Sequence, residues 1–387
     1  VNRKRSKARL WLTLLVGSIA LLVTACGGSS DEQAADSETT TAAAATRPAA
    51  DESTVDAVGP TGDAAVHADT LTLTDDDVQA LKAKGKSFKV ATFWQVQDQQ
   101  DTNMMRGMRD TWKKYDVPIS ISQVAIANWD AARQTNQMLT LAQTKPDAMV
   151  GILVDQVATA SAVKKINTQK IPIVFWDVPA EGADYTSAVS AHGRVAGWKA
   201  ADAMAEALGE KGEVAALPMK FKFYPTDQRV EGFKERIKTY PNMKLIETKQ
   251  GATVFDDGQK AGQAILQRYP NIDGIFASWQ DPAMGVISGA RTLGRTNIVV
   301  TTVDLTEPPA VEIARCGILK ATVAQQPYEI GAAQAVIVAK TLLGQEVPKF
   351  VVTDVPLVTH ENLFEIWKRT FRLDPPKKLE GAYQESC

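Results

Sequence analysis

The side chains best able to do chemistry in this chain recur at the carboxyl ends of short apolar runs. Those ends carry Phe93 and Trp94, Asp155 and Gln156, Trp176 and Asp177, Trp279 and Gln280, Asp304, and Gln325. The types are aromatic faces beside carboxylates and amides. Flat π faces cover the C–H surfaces of a sugar, and planar carboxylates or amides bridge its hydroxyls, so the mixture suits carbohydrate recognition. Any one of these tryptophans is more simply a core residue. Recurrence at equivalent ends of different runs is what gives the pattern weight. With Asp98, Asp227 and Arg229 added, the candidate ligand-binding set is Phe93, Trp94, Asp98, Asp155, Trp176, Asp177, Asp227, Arg229, Trp279, Asp304 and Gln325.

The elements that must position these residues follow from the runs themselves. Lys89–Trp94, Ala148–Val154, Pro172–Trp176, Val214–Leu217, Ile272–Ala277, Ile298–Val303 and Leu319–Ala324 are continuously apolar, as parallel strands covered on both faces must be. Amphipathic segments lie between them. In Asp101–Tyr115, for example, Met104, Met108 and Trp112 fall on one helical stripe. Residues 69–85 predict a short helix that starts near Thr74 and Asp75. Strand and helix alternating this often predict an open α/β sheet with helices on both faces. Seven strands with a tail fit two similar lobes better than one sheet. In such sheets ligands bind beyond the carboxyl ends of the strands, where the candidate residues sit.

Composition excludes other classes. Of 387 residues, 43 are Lys or Arg and 45 are Asp or Glu, a net charge of -2 that gives no footprint for nucleic acid. His67, His192 and His360 stand in unrelated contexts, without a Ser or Cys partner that would suggest a triad. His192 reads as a solvated loop residue or as a hinge contact. No Walker loop and no G-x-G-x-x-G follows a strand, and no His/Cys spacing or Gly-containing acidic loop predicts a metal. Asp75-Asp76-Asp77 and Asp256-Asp257 read as helix starts, where negative charge meets the helix dipole. The expectation is a binding protein, not an enzyme, with no cofactor and no metal.

The amino-terminal region has its own signature. Arg3, Lys4, Arg5, Lys7 and Arg9 precede the uncharged stretch Leu10 to Ala25, which falls short of the about 20 apolar residues of a membrane helix. A basic head, a short apolar body and small residues predict a secretory signal over 1–25. Val23-Thr24-Ala25-Cys26 resembles the lipobox of bacterial lipoproteins, which implies cleavage before Cys26 and a lipid on that cysteine. Residues 27–66 are mostly Ala, Thr, Ser, Gly, Asp and Glu, which predicts a disordered tether, taken to run from the lipidated cysteine across 26–68. With Cys26 assigned to lipid, Cys316 and Cys387 form the one possible pair in an oxidising compartment. The other reading is one buried thiol and one terminal thiol.

From Phe88 to Val358 the chain resembles the type I periplasmic sugar-binding family, the ribose-binding-like receptors of ABC importers. The resemblance rests on Ile171-Pro-Ile-Val-Phe-Trp-Asp177, Arg229-Val-Glu-Gly-Phe233, Ile275-Phe-Ala-Ser-Trp-Gln-Asp-Pro-Ala-Met-Gly285, Val299-Val-Thr-Thr-Val-Asp304 and Ala321-Thr-Val-Ala-Gln325, taken in that order. It implies two doubly wound, Rossmann-like lobes joined by three chain crossings, near Ser187–His192, Ala324–Gln326 and Val355–Thr359. Lobe 1 is expected to comprise 87–190 plus 326–355, and lobe 2 to comprise 191–325 plus 356–387. The resemblance assigns Asp177 to sugar hydroxyls, Asp304 to their counterpart on the other lobe, and Gln325 to a hinge-side contact.

There are departures. Val178 and Asp227 stand where ribose receptors have arginines, and Trp279 stands where they have an asparagine. Gln100 and Asp101 occupy the place of stacking phenylalanines. These differences point from ribose to a polyol, another monosaccharide or a modified sugar. The implied protein is a monomeric, lipid-anchored receptor on the extracytoplasmic face, with a small carbohydrate or polyol and an ABC permease as partners. It touches the membrane through its lipid alone and binds no nucleic acid. A receptor for signalling or chemotaxis on the same fold is the alternative.

Overall fold

The computed structural model describes residues 57–387 apart from Ser386. The predicted secretory signal over 1–25 and Cys26 lie outside the described residues. Among the described residues, thirteen strands and twelve α-helices follow one another. The strands are β1 (Ala65–His67), β2 (Phe88–Trp94), β3 (Ile119–Ile126), β4 (Ala148–Gly151), β5 (Ile173–Trp176), β6 (Ser187–Ala191), β7 (Lys211–Leu217), β8 (Asn242–Ile246), β9 (Ile272–Ala277), β10 (Val299–Val303), β11 (Leu319–Val323), β12 (Phe350–Thr353) and β13 (Leu357–Val358). The helices are α1 (Asp75–Ala83), α2 (Gln99–Lys114), α3 (Ala131–Gln143), α4 (Ala160–Asn167), α5 (Gly193–Ala207), α6 (Tyr224–Ile237), α7 (Phe255–Arg268), α8 (Gln280–Thr292), α9 (Glu307–Ala314), α10 (Pro327–Leu342), α11 (Leu363–Phe371) and α12 (Lys377–Glu380).

The strands form two sheets. Lobe 1 runs β1-β12-β6-β5-β4-β2-β3 and lobe 2 runs β13-β11-β10-β9-β7-β8. Every pairing is parallel except β11 with β13. Within each sheet the first long strand, β2 or β7, lies between its successor and the third strand. Chain order therefore reverses there, creating the crevice in which ligands of doubly wound sheets bind. Each sheet is buried on both faces. In lobe 1, Val90, Val150, Val174, Val189 and Val351 pack under α2 and α10, while Ala91, Phe93, Met149, Ile173 and Phe175 pack against α3 and α4. In lobe 2, one face lies against α5 and α6 and the other against α7, α8, α9 and α11.

The chain passes between sheets three times: from β6 into α5, from β11 into α10, and from β12 into β13. His192 lies in the first passage and is buried, not solvated. In the third passage Asp354 is shared by His67, from the end of β1, and Arg369 of α11. Cys316 and Cys387 are bonded to each other, which ties the segment around Cys387 to the turn after α9. The acidic runs open α1 and α7, and Thr74 and Asp77 form a reciprocal cap on the first of these helices.

One boundary needs correction. The expected tether extends to residue 68, yet Ala65–His67 pairs in register with Phe350–Val352 as the edge strand of lobe 1. An edge strand needs a backbone partner more than it needs large apolar side chains, so a composition rich in small residues does not exclude it.

Candidate functional site

The site lies between the carboxyl ends of the two sheets. In lobe 1, β5 ends at Trp176 and the chain turns at Asp177 with φ of 65°. In lobe 2, β10 ends at Val303 and the chain turns at Asp304 with φ of 84°. Left-handed backbone costs a residue with a Cβ on the order of 1–3 kcal/mol, although aspartate tolerates it better than most. The two turns are built alike. The Asp177 N–H donates to Val189 O at 2.9 Å and the Asp304 N–H to Val323 O at 2.8 Å, each carbonyl belonging to the neighbouring strand. Ser190 Oγ then donates to Asp177 Oδ1 at 2.7 Å, and Gln325 Nε2 donates to Asp304 Oδ1 at 2.6 Å. Ser190 lies near the end of β6, just before the first passage, and Gln325 lies in the second. Each aspartate is therefore held by a side chain at the junction of the lobes.

Arg229 comes from α6. It is 3 % exposed, donates from Nη1 to Ser278 O at 3.2 Å, and places that nitrogen 3.7 Å from Asp304 Oδ2. Its Nε has no partner. Trp94 at the end of β2, Trp176, and Trp279 at the start of α8 each bury an indole N–H without an acceptor. With Gln325, these groups line one cavity between the two sheets.

Asp98 caps α2 and also lines the cavity. Its carboxylate accepts from Gln100 N at 2.7 Å and Asp101 N at 3.2 Å, while Asp101 accepts from Asp98 N at 2.8 Å. Of the candidate set, Trp94, Asp98, Trp176, Asp177, Arg229, Trp279, Asp304 and Gln325 therefore meet around one space.

Three candidates do not. Phe93 packs edge-on against Phe175, with ring centroids 6.1 Å apart, on the other face of the sheet. Neighbours along a strand point to opposite faces, so Trp94 can face the cleft only if Phe93 does not. Asp155 accepts from Val157 N and Ala158 N and so closes an exposed turn. Asp227 lies two residues before Arg229 on α6, which places the two side chains about 200° apart around the helix. Burial raises its pKa, and the neighbouring charge of Glu231 adds to the effect.

The structure adds groups that the strand-end pattern did not select. Trp129, with φ of 62°, stands in the loop after β3, where its N–H donates to Gln95 O at 2.9 Å. Its ring meets Trp279 of lobe 2 at 5.7 Å between centroids, so the two lobes touch through paired indoles. Asp101, Met219 and Phe223 also line the cavity. The apolar run before Trp129 is the missing signal: Ser120, Ser122 and Gln123 interrupt it, as an edge strand allows.

Burial dominates the electrostatics. It pushes Asp177 up to about 6, against the opposing effects of Arg229 and the Ser190 hydrogen bond. It pushes Asp101 up to about 7, with the charge of Asp98 adding to the shift. Asp281, in the first turn of α8, rises to about 6 through burial and the charges of Asp98 and Asp304. A carboxyl whose folded pKa exceeds its unfolded value of about 3.9 holds a proton that the unfolded chain releases. Ligand-free stability is therefore expected to fall as pH rises from about 4 to about 7. Asp101→Asn should flatten this slope, as read by melting temperature between pH 5 and pH 7.5. An unchanged slope would refute the assignment of Asp101.

Comparison with known proteins places this geometry in context. Residues 90–346 match the model of the periplasmic binding protein domain. The ribose import binding protein of Salmonella typhimurium is 28% identical over 204 residues, 53% of this chain and 68% of that protein. Its counterpart in Bacillus subtilis is 28% identical over 262 residues, 67% of this chain and 83% of that protein. Among solved structures, an ABC transporter solute-binding protein from Agrobacterium vitis, bound with α-D-tagatopyranose, superposes with a TM-score of 0.68 at 22% identity. That match covers 75% of this chain and 100% of the other.

Proposed function

The chain belongs to the type I, ribose-binding-like branch of the periplasmic binding protein family, and we propose from that premise that it captures a small sugar or polyol for an ABC permease. One observation carries this reading. Two aspartates at left-handed turns, one per lobe and built alike, face a single cavity walled by tryptophans. Carboxylates of both lobes accept from ligand hydroxyls, Arg229 and the indole N–H groups donate to them, and the rings cover the C–H faces.

The mechanism is closure about the three passages. A ligand shifts this equilibrium only by binding the closed form better, and contact with Asp177 and Asp304 together exists only there. The role is binding and delivery, without a chemical step. A thermal-shift screen of monosaccharides and polyols tests it, since a ligand of the folded state raises its melting temperature. If no sugar or polyol moves the melting temperature at millimolar concentration, the reading fails.

Delivery to a permease also requires the protein to stay near the membrane, and Cys26 supplies the anchor in this proposal. No helix among the described residues is long and apolar enough to cross a membrane. Replacing Cys26 with Ala should move the protein from the detergent phase to the aqueous phase on Triton X-114 partitioning of whole cells. A Cys26→Ala protein still processed and retained in detergent would refute the anchor.

A further inference from the structure

The cleft holds more negative charge than its cation balances. Asp98, Asp101, Asp177 and Asp304 line it, whereas Arg229 is the one cation among the described lining residues. Arg229 serves Asp304, at 3.7 Å, and its charge also reaches Asp177. Asp98 and Asp101 on lobe 1 and Asp281 on lobe 2 are left without an ion pair among the described residues. The charges of Asp98 and Asp304 bear on each other across the lobes, and Asp281 feels both. Like charges in a desolvated gap oppose its closure unless a countercharge enters.

A second feature points the same way. Trp94, Trp129, Trp176 and Trp279 wall this space, and indole faces are the strongest of the aromatic side chains in attracting a cation. The orphaned groups define the rest of the ligand. The indole N–H groups of Trp94, Trp176 and Trp279 lack acceptors, and Asp101 Oδ2 and Gln325 Oε1, on side chains at most 3 % exposed, lack donors. A bare metal ion would leave these indoles unserved. Among the described residues, moreover, these carboxylates do not form a group with oxygens all within 4.8 Å of one another, as one ion would require.

We propose that the cleft selects a polyhydroxylated amine, an amino sugar or amino polyol, whose ammonium group lies between Asp98 of lobe 1 and Asp304 of lobe 2 beside the tryptophan rings. The inference rests on the carbohydrate-binding reading and narrows it. Hydroxyls satisfy the indoles and Gln325, while the ammonium removes the repulsion between lobes. A neutral sugar of the same shape leaves that repulsion in place. The amine therefore favours the closed form over the open one, and that difference drives closure.

The test pairs ligands that differ in the amine. Titration calorimetry of the intact exported protein at pH 7 and low salt would compare D-glucosamine with D-glucose, D-galactosamine with D-galactose, and N-methyl-D-glucamine with sorbitol. In at least one pair the amine is expected to bind tenfold or more tighter, and that ratio should fall towards one in Asp98→Asn and in Asp304→Asn. Two variants, one on each lobe, guard against a folding defect in either. Equal or tighter binding of the neutral member wherever binding occurs would overturn the amine assignment and leave the sugar-binding reading standing. A ratio unchanged in both folded variants would also overturn it. No binding by any pair, nor by other sugars and polyols in the thermal screen, would overturn both.

Discussion

Asp304→Asn is expected to weaken ligand affinity by ten- to a hundredfold, and Asp177→Asn by at least tenfold. Asparagine is the informative replacement because it tolerates the left-handed backbone at both positions, φ of 84° and 65°, where alanine would add strain of its own. The amide oxygen can still accept from Gln325 or Ser190, so the turn keeps its support. What disappears is the charge. A hydrogen bond to a charged group contributes about 1.5–3 kcal/mol, which corresponds to one to two powers of ten in affinity. Asp304 should matter more because Arg229 Nη1 lies 3.7 Å away and loses its buried counter-ion with the substitution. Titration calorimetry with the best ligand from the thermal screen measures both. If the two aspartates serve only to shape the turns, the variants will lose stability but bind with unchanged affinity. That outcome would remove them from the site.

The ease of reading this site in the sequence depended on burial. Strands covered on both faces advertise themselves by unbroken apolar character, and each of the seven predicted runs holds a strand, although that in Ala148–Val154 stops at Gly151. Trp176, Asp177, Trp279, Asp304 and Gln325 follow directly, because the ends of such strands open on the cleft. Edge and junction strands are quieter. Ile119–Ile126 exposes Ser120, Ser122, Gln123 and Val124, and Ser187–Ala191 is built of small residues that pack without large side chains. Losing Ile119–Ile126 also hid Trp129, since a strand-end rule finds nothing beyond an unseen strand. The errors at Phe93 and Asp227 are of another kind. The strand of Phe93 was placed correctly, and Asp227 lies on a helix, α6, but side-chain direction along the strand or around the helix excluded them. The acidic excess of the cleft was only partly legible: Asp98, Asp177 and Asp304 were selected from the sequence, but that Asp98 of lobe 1 lines the same cavity as Asp304 of lobe 2 appears only when the lobes meet.

Gly197→Ala is expected to cost about 1–3 kcal/mol or more of stability and to weaken ligand binding as well. A Cβ at Gly197 would stand 2.0 Å from Arg229 O and 2.6 Å from Phe233 N, and one at Gly232 would stand 2.1 Å from Arg194 O. Helices α5 and α6 thus meet backbone to backbone through reciprocal glycines. The same device joins α2 to α10 through Gly107 and Gly331, and α7 to α8 through Gly258 and Gly285. Backbone cannot rotate out of the way as a side chain can, so the added methyl must push the helices apart. The consequence for function comes from what the contact holds. The atom in conflict is the carbonyl of Arg229, the residue whose guanidinium lies 3.7 Å from Asp304 in the cleft. Helix α5 begins just after the first passage between lobes, so the contact links the hinge to the cation that lines the site, Arg229. Separating α5 from α6 should therefore move Arg229 as it weakens the core formed by Val195, Ala196, Phe233 and Phe276. Urea denaturation reads the first effect, and calorimetry on the folded fraction reads the second. A Gly197→Ala protein within about 0.5 kcal/mol of the parent would show that the helices can part without loss. A large loss of stability with affinity intact would show that Arg229 is held by Ser278 and Asp304 alone, independently of where α5 sits.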